Sequence, residues 1–160
     1  MNCKIRTFSI QSECDGTPFF GELVKDLDIN ISQDFENEEK AECFYHGDIF
    51  DSGEEFYVIY DECGDYGLGE TKTTLRFSKD NPKEIYIKRE GETSTDMFFS
   101  EKKRHVCVYN TQIMPFELCF YTKSVDNRLA TDGFLQILYI IEIKGACVQK
   151  VLFRMEIEKE

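Results

Sequence analysis

The sequence predicts an all-β domain of about eight or nine antiparallel strands, with fewer than about one residue in ten in helix outside residues 14–38. Polar and apolar side chains alternate with a period of two from residue 54 to residue 158, a pattern typical of strands with one buried face. Short turn sequences separate the alternating segments, and helical periodicity is nearly absent. A length of 160 residues fits a single domain. Such meanders avoid exposed edges by closing into a barrel or by packing as a sandwich.

Five strands are predicted in the first part of the chain. Asp51-Ser52-Gly53 is the turn of one predicted hairpin, and Asp80-Asn81-Pro82 is the turn of another. The predicted strands cover residues 3–12, 39–50, 54–62, 71–78 and 83–90. Within 54–62, alternation places Phe56, Val58, Tyr60 and Glu62 on one face. Within 83–90, the same rule places Ile85, Ile87 and Arg89 on one face.

Residues 14–38 form an irregular acidic insert in this prediction. Gly16, Pro18 and Gly21 break any regular pattern at its start, and an acidic stretch follows them. The insert is a loop with one short helical turn or an extra strand near residues 23–31. The whole of 1–160 is nevertheless one domain, since no linker or low-complexity tract divides it.

Four further strands are predicted in the second part. They cover residues 103–111, 115–124, 134–144 and a last strand that ends near 158. The last two form a hairpin around Gly145-Ala146, while Asp126-Asn127 and Asp132-Gly133 mark the link that precedes them. Leu138 and Ile140 lie opposite the main apolar face of 134–144, so this strand is expected to be covered on both sides.

The charge is strongly negative and unevenly distributed. Nineteen Lys and Arg oppose 31 Asp and Glu, which gives a net charge of −12. Residues 1–69 contain 4 basic and 17 acidic side chains and therefore carry the whole excess. A surface this acidic repels phosphates, so we expect no nucleic-acid partner. The acidic half is either a patch that attracts a basic partner or a cation, or a solvated surface that maintains solubility.

The cysteines and the N-terminus indicate a cytoplasmic protein. The sequence starts Met1-Asn2-Cys3-Lys4 without the apolar segment of a signal peptide, and no apolar run is long enough to span a membrane. The seven cysteines are odd in number and contain no C-x-x-C pair. We therefore expect reduced thiols in a reducing compartment and no membrane partner.

No catalytic or metal-binding motif is present in the sequence. The nucleophile elbow, the zinc-protease helix, the phosphate-binding loop and the dinucleotide fingerprint are all missing. His46 with Asp48 is too little for a metal site, and Asp26, Asp28 and Asp34 lack the Gly and Glu of a calcium loop. We expect a non-catalytic protein without cofactor or metal.

An ordered series of short motifs resembles the YwiB-like family of uncharacterised bacterial proteins. The series covers roughly two thirds of the chain and ends with Gly133 and Tyr139. Its main members are Tyr60-Asp61-Glu62, Gly69 to Leu75, Ile87 to Gly91, Met97-Phe98-Phe99, Tyr109-Asn110-Thr111 and Phe120-Tyr121-Thr122. The resemblance implies a single calycin (lipocalin-like) antiparallel β-barrel. It implies no activity, because the family is functionally uncharacterised.

A small closed barrel can enclose one small ligand, and several polar residues are candidates to hold it. Glu62, Thr73 and Arg89 share strand parity with apolar residues expected to point inward, and a buried Arg requires a carboxylate partner. The candidate ligand-binding residues are Tyr60, Glu62, Thr73, Arg89, Tyr109 and Thr111.

Two classes of function therefore remain open from the sequence. In the first, the barrel binds a small anionic or amphipathic molecule in its interior. In this class, Glu62 and Arg89 face a ligand. The structural alternative is that Glu62 and Arg89 pair only with each other and stabilise the barrel, while the 14 Phe fill its interior. In the second, the protein is an interaction or regulatory module that uses its acidic half, or a structural barrel that forms a homodimer.

Overall fold

The computed structural model contains ten β-strands. It describes residues 1–13, 39–62, 70–91, 94–110, 114–143 and 146–160, so the predicted insert at 14–38 lies outside the described residues. The strands are β1 (Asn2–Glu13), β2 (Glu39–Asp51), β3 (Glu55–Glu62), β4 (Thr71–Ser78), β5 (Glu84–Gly91), β6 (Ser94–Ser100), β7 (Arg104–Asn110), β8 (Pro115–Arg128), β9 (Phe134–Ile143) and β10 (Ala146–Lys159). None of the described residues is helical, and none therefore belongs to a helix that could span a membrane.

The strands close into one antiparallel barrel, as the sequence predicts. Each strand pairs with its neighbour in sequence, and β1 also pairs with β10 to complete the ring. The count is ten because β6 is an additional strand. Its centre reads Met97-Phe98-Phe99, three apolar residues in a row, which hides the period of two. Met97 and Phe99 point into the core, whereas Phe98 stacks on Tyr86 of β5.

One predicted turn is wrong. Asp126 and Asn127 lie inside β8, which continues to Arg128 and contains a bulge between Thr122 and Ser124. The chain reverses instead through residues 129–133, where Gly133 adopts a φ of 70°. The carbonyl of Gly133 accepts a hydrogen bond from the Ile157 amide at 2.8 Å. A Cβ at Gly133 would lie 2.4 Å from the Ile157 carbonyl oxygen, so glycine is required there.

The apolar core lies toward the end of the barrel that carries the β2–β3, β4–β5, β6–β7 and β8–β9 turns; we call this the packed end. Phe56 and Phe77 pack there with ring centroids 5.3 Å apart, and Phe99 and Phe120 pack with centroids 5.8 Å apart. Leu135 is fully buried in the same cluster. Alternation in β3 and β5 therefore predicts correctly which residues point inward.

Strand β9 is buried on both faces, again as predicted. Leu135 and Ile137 belong to the interior core, whereas Leu138 and Ile140 lie on the outer face and are 4% and 0% exposed. Leu138 packs there against Leu152 of β10. At these positions the outer face of β9 is thus almost as fully buried as its inner face.

The cysteines whose side chains are described are all free thiols, namely Cys3, Cys43, Cys107 and Cys119. Burial is the main cause that raises the pKa of Cys3, Cys107 and Cys119, so these thiols are poor nucleophiles near neutral pH. Cys14, Cys63 and the side chain of Cys147 lie outside the described part.

We expect all seven cysteines to be reduced in the freshly isolated protein. Titration with a thiol reagent in denaturant, without added reductant, should count seven thiols. In the native protein the three thiols with raised pKa should react slowly. A denatured count below seven would contradict the expectation and indicate a disulfide.

Candidate functional site

Polar residues of neighbouring strands share one row across the interior. The strand register pairs Tyr60 of β3 with Thr73 of β4, and Thr73 with Arg89 of β5. It continues from Arg89 to Thr95 of β6 and from Thr95 to Tyr109 of β7. Four of the six predicted candidates thus belong to one row of five positions, in which Thr95 is the fifth member.

Glu62 lies at the end of β3, two residues beyond Tyr60, and connects to this row. The Thr73 hydroxyl donates a hydrogen bond of 2.8 Å to Glu62 Oε1. The guanidinium Nε of Arg89 lies 3.4 Å from the same oxygen, and the two side chains are 27% and 8% exposed for Arg89 and Glu62. The ion pair that strand parity predicts is therefore present.

For two of the predicted residues, the side chain lies outside the described part of the structure. Thr111 lies outside the described residues. For Tyr109 the structure describes the backbone alone, which lies at the end of the polar row. Their part in a binding site stays a prediction.

The barrel interior contains a cavity of about 260 Å³ at the end opposite the core, which we call the polar end. Tyr60, Glu62 and Arg89 line it on one side. On the other side it is lined by residues that the sequence interpretation did not single out: Thr7, Ser9 and Gln11 of β1, Ala41, Cys43 and Tyr45 of β2, Tyr139 of β9, and Val151 and Phe153 of β10. The phenylalanines that the structure describes thus leave this part of the barrel interior open.

A signal for part of this set was present in the sequence. Thr7, Ser9 and Gln11 share strand parity with Ile5, which is buried in the core. An inward face that changes from apolar to polar along one strand is the pattern expected where a core gives way to a polar cavity. Tyr45 and Tyr139 carry no such signal, since inward tyrosines are equally common in packed cores.

Two tyrosines provide neutral hydroxyl groups in the cavity. The rings of Tyr45 and Tyr60 are 4.9 Å apart between centroids. Burial raises the pKa of Tyr60, and the negative charge of Glu62 raises it further. Burial is also the main cause that raises the pKa of Tyr45. A hydrogen bond with Cys43 and the negative charge of Glu62 raise it further. Both phenols therefore remain protonated near neutral pH and can donate as well as accept hydrogen bonds.

A second buried ion pair lies on the outer face of the barrel, away from the cavity. Arg104 of β7 contacts Glu142 of β9 through two nitrogens at 3.3 and 3.4 Å, and its guanidinium lies 4.9 Å above the ring of Tyr121. Glu142 is 5% exposed. Burial and this carboxylate raise the pKa of Cys119. The cluster links β7, β8 and β9, which is a structural role.

Together, the fold and the site define a closed antiparallel β-barrel with a packed end and a polar cavity at the other end. The family model described as "Domain of unknown function (DUF1934)" matches residues 27–155. The chain belongs to that family.

One solved structure has a similar fold. The crystal structure of ywiB protein from Bacillus subtilis is similar, with a TM-score of 0.70 and 19% sequence identity. The likeness covers 99% of this chain and 92% of that chain, and at this identity it concerns the fold alone. No curated protein matches the chain. The resemblance to the YwiB-like family and the barrel that it implied are confirmed.

Proposed function

We propose that the protein is a non-catalytic, cytoplasmic barrel that binds one small molecule in the cavity at its polar end. The observation that carries this proposal is the cavity of about 260 Å³ beside a well-packed core. Protein interiors are normally filled to the density of organic crystals, so an interior space with polar walls favours an occupant. The volume lies just below the usual range for drug-sized ligands, which favours a small metabolite.

The ion pair itself supports a ligand-binding role over a purely structural one. Glu62 and Arg89 are paired as the structural alternative requires. However, a buried ion pair is a weak way to stabilise a fold, since apolar side chains of similar volume often serve as well or better. The pair also lines open space instead of closely packed side chains. Charged groups placed at the wall of a cavity orient a ligand.

Filling the cavity tests this proposal. Ser9 lies on the cavity wall, and Ser9→Phe places an aromatic ring in the space. Cys43→Phe does the same from β2. Native mass spectrometry of the wild-type protein, isolated without denaturation, should show an additional small mass that both variants lack. Lys4→Phe is the matched control, because Lys4 lies on the same strand and is exposed on the outer face.

The control should keep the additional mass, and all variants should retain a β-type circular dichroism spectrum. A wild-type spectrum without additional mass would contradict the proposal. So would an additional mass that persists in both folded cavity-filling variants.

A second candidate is an interaction module or a homodimer. An outer row of aromatic side chains favours it, because the register aligns Phe50, Tyr57, Arg76, Tyr86 and Phe98 across five strands. Phe50 is 54% exposed and Tyr86 is 38% exposed. Light scattering across a salt series would detect a dimer or a basic protein partner, and the Phe50→Ala variant should weaken either association.

A further inference from the structure

The charges on the cavity wall cancel. Among the described residues that line the cavity, Arg89 is the one basic residue and Glu62 is the one acidic residue. They lie 3.4 Å apart, so each largely neutralises the other. An added anion would approach Glu62 as closely as Arg89, and an added cation would approach Arg89 as closely as Glu62. The paired charges of the wall therefore favour neither an anionic nor a cationic ligand.

The surface next to the cavity disfavours anions. An adjoining depression of about 440 Å³ shares Glu62 with the cavity. Its described lining also contains Asp61, Glu70 and Glu90, with Lys72 as the one basic residue. The chain as a whole carries a net charge of −12. A phosphate or carboxylate compound therefore meets repulsion both near the cavity and at long range.

The hydrogen-bonding groups of the wall are mostly hydroxyls. Thr7, Ser9, Tyr45, Tyr60 and Tyr139 provide them from four strands. A hydroxyl donates and accepts, and so complements another hydroxyl without requiring a charge. The aromatic rings add flat apolar faces.

We propose that the cavity selects an uncharged molecule with several hydroxyl groups, about the size of a monosaccharide. This inference rests on the proposed function and makes it narrower, because the sequence alone suggested an anionic or amphipathic ligand. Glu62 and Arg89 then serve as acceptor and donor for ligand hydroxyls, since charged partners form the stronger hydrogen bonds. The tyrosine rings contact the flat faces of the molecule.

Matched pairs of probes test the selectivity. The uncharged probes are glucose and myo-inositol; the charged counterparts are glucose 6-phosphate and glucuronate for glucose, and inositol phosphate for myo-inositol. Saturation-transfer NMR and calorimetry on the full chain should detect at least one uncharged probe, and its charged counterpart should bind at least about tenfold more weakly. Equal or tighter binding of the charged counterpart would overturn the inference, as would failure of every uncharged probe to bind.

Two variants separate this inference from the proposed function. If Ser9→Phe abolishes the binding of an anionic probe that the wild type prefers, the cavity binds ligands but the selectivity inference is wrong. If an uncharged probe binds Ser9→Phe and Cys43→Phe as tightly as it binds the wild type, the cavity is not the site.

A third variant, Glu62→Gln, tests the charge argument, because it removes the carboxylate and leaves the positive charge of Arg89 without its partner. It should improve the binding of the charged counterpart by about tenfold, and an unchanged preference would contradict the charge argument.

Discussion

Replacing Arg89 by Leu should lower the free energy of unfolding by about 3 kcal/mol, at the lower end of the range for breaking a buried ion pair. The change leaves the carboxylate of Glu62, which is 8% exposed, beside Thr73 without its cationic neighbour. We place the effect at the lower end because 27% of the Arg89 side chain is exposed and water screens part of the interaction. Denaturant unfolding followed by circular dichroism measures the loss.

The double variant identifies the cause. Glu62→Gln combined with Arg89→Leu removes the uncompensated charge and should recover part of the lost stability. Arg6→Leu is the control, because Arg6 contacts Glu42 on the outer face with both side chains largely exposed, and its loss should be much smaller. If Arg89→Leu leaves stability unchanged and Glu62→Gln gives no coupling, the contact at 3.4 Å contributes nothing to the fold.

The inward-facing positions of the strands were predictable because strand parity is a local property. Alternation in residues 54–62 and 83–90 is sufficient to place Glu62 and Arg89 in the interior, and antiparallel neighbours in sequence bring them together. The same rule failed for β6, where Phe98 covers the outer face with an aromatic ring and makes the segment apolar on both sides. It also missed the length of β8, because the bulge between Thr122 and Ser124 shifts the alternation.

Much of the cavity wall could not be predicted, since it depends on how the barrel closes. Ser9 and Tyr139 lie 130 positions apart and line the same cavity because β10 pairs with both β1 and β9. A sequence shows which residues point inward but not where along the barrel axis the core stops. That boundary depends on the volume of the large side chains at the packed end, among them Phe56 and Phe99.

Phe56→Ala should therefore have an effect as large as the loss of the ion pair, about 3–5 kcal/mol of unfolding free energy. Phe56 is 0% exposed, and its ring packs against Phe77 with centroids 5.3 Å apart. Truncation removes buried apolar surface and leaves a cavity. The closed barrel cannot easily collapse into this cavity, because β2 and β4, the neighbours of β3, are each also hydrogen-bonded to a further strand. Equilibrium unfolding in urea gives the change directly.

Phe44→Ala provides the matched control, since it deletes the same atoms at a position on the outer face that is 73% exposed. Its stability should stay within about 0.5 kcal/mol of wild type, as for other surface substitutions. Phe56→Ala also distinguishes the two ends of the barrel. Phe56→Ala opens space at the packed end and should leave ligand binding at the polar end intact in the folded fraction. Equal losses in the two variants would mean that the packed end does not carry the stability of the barrel.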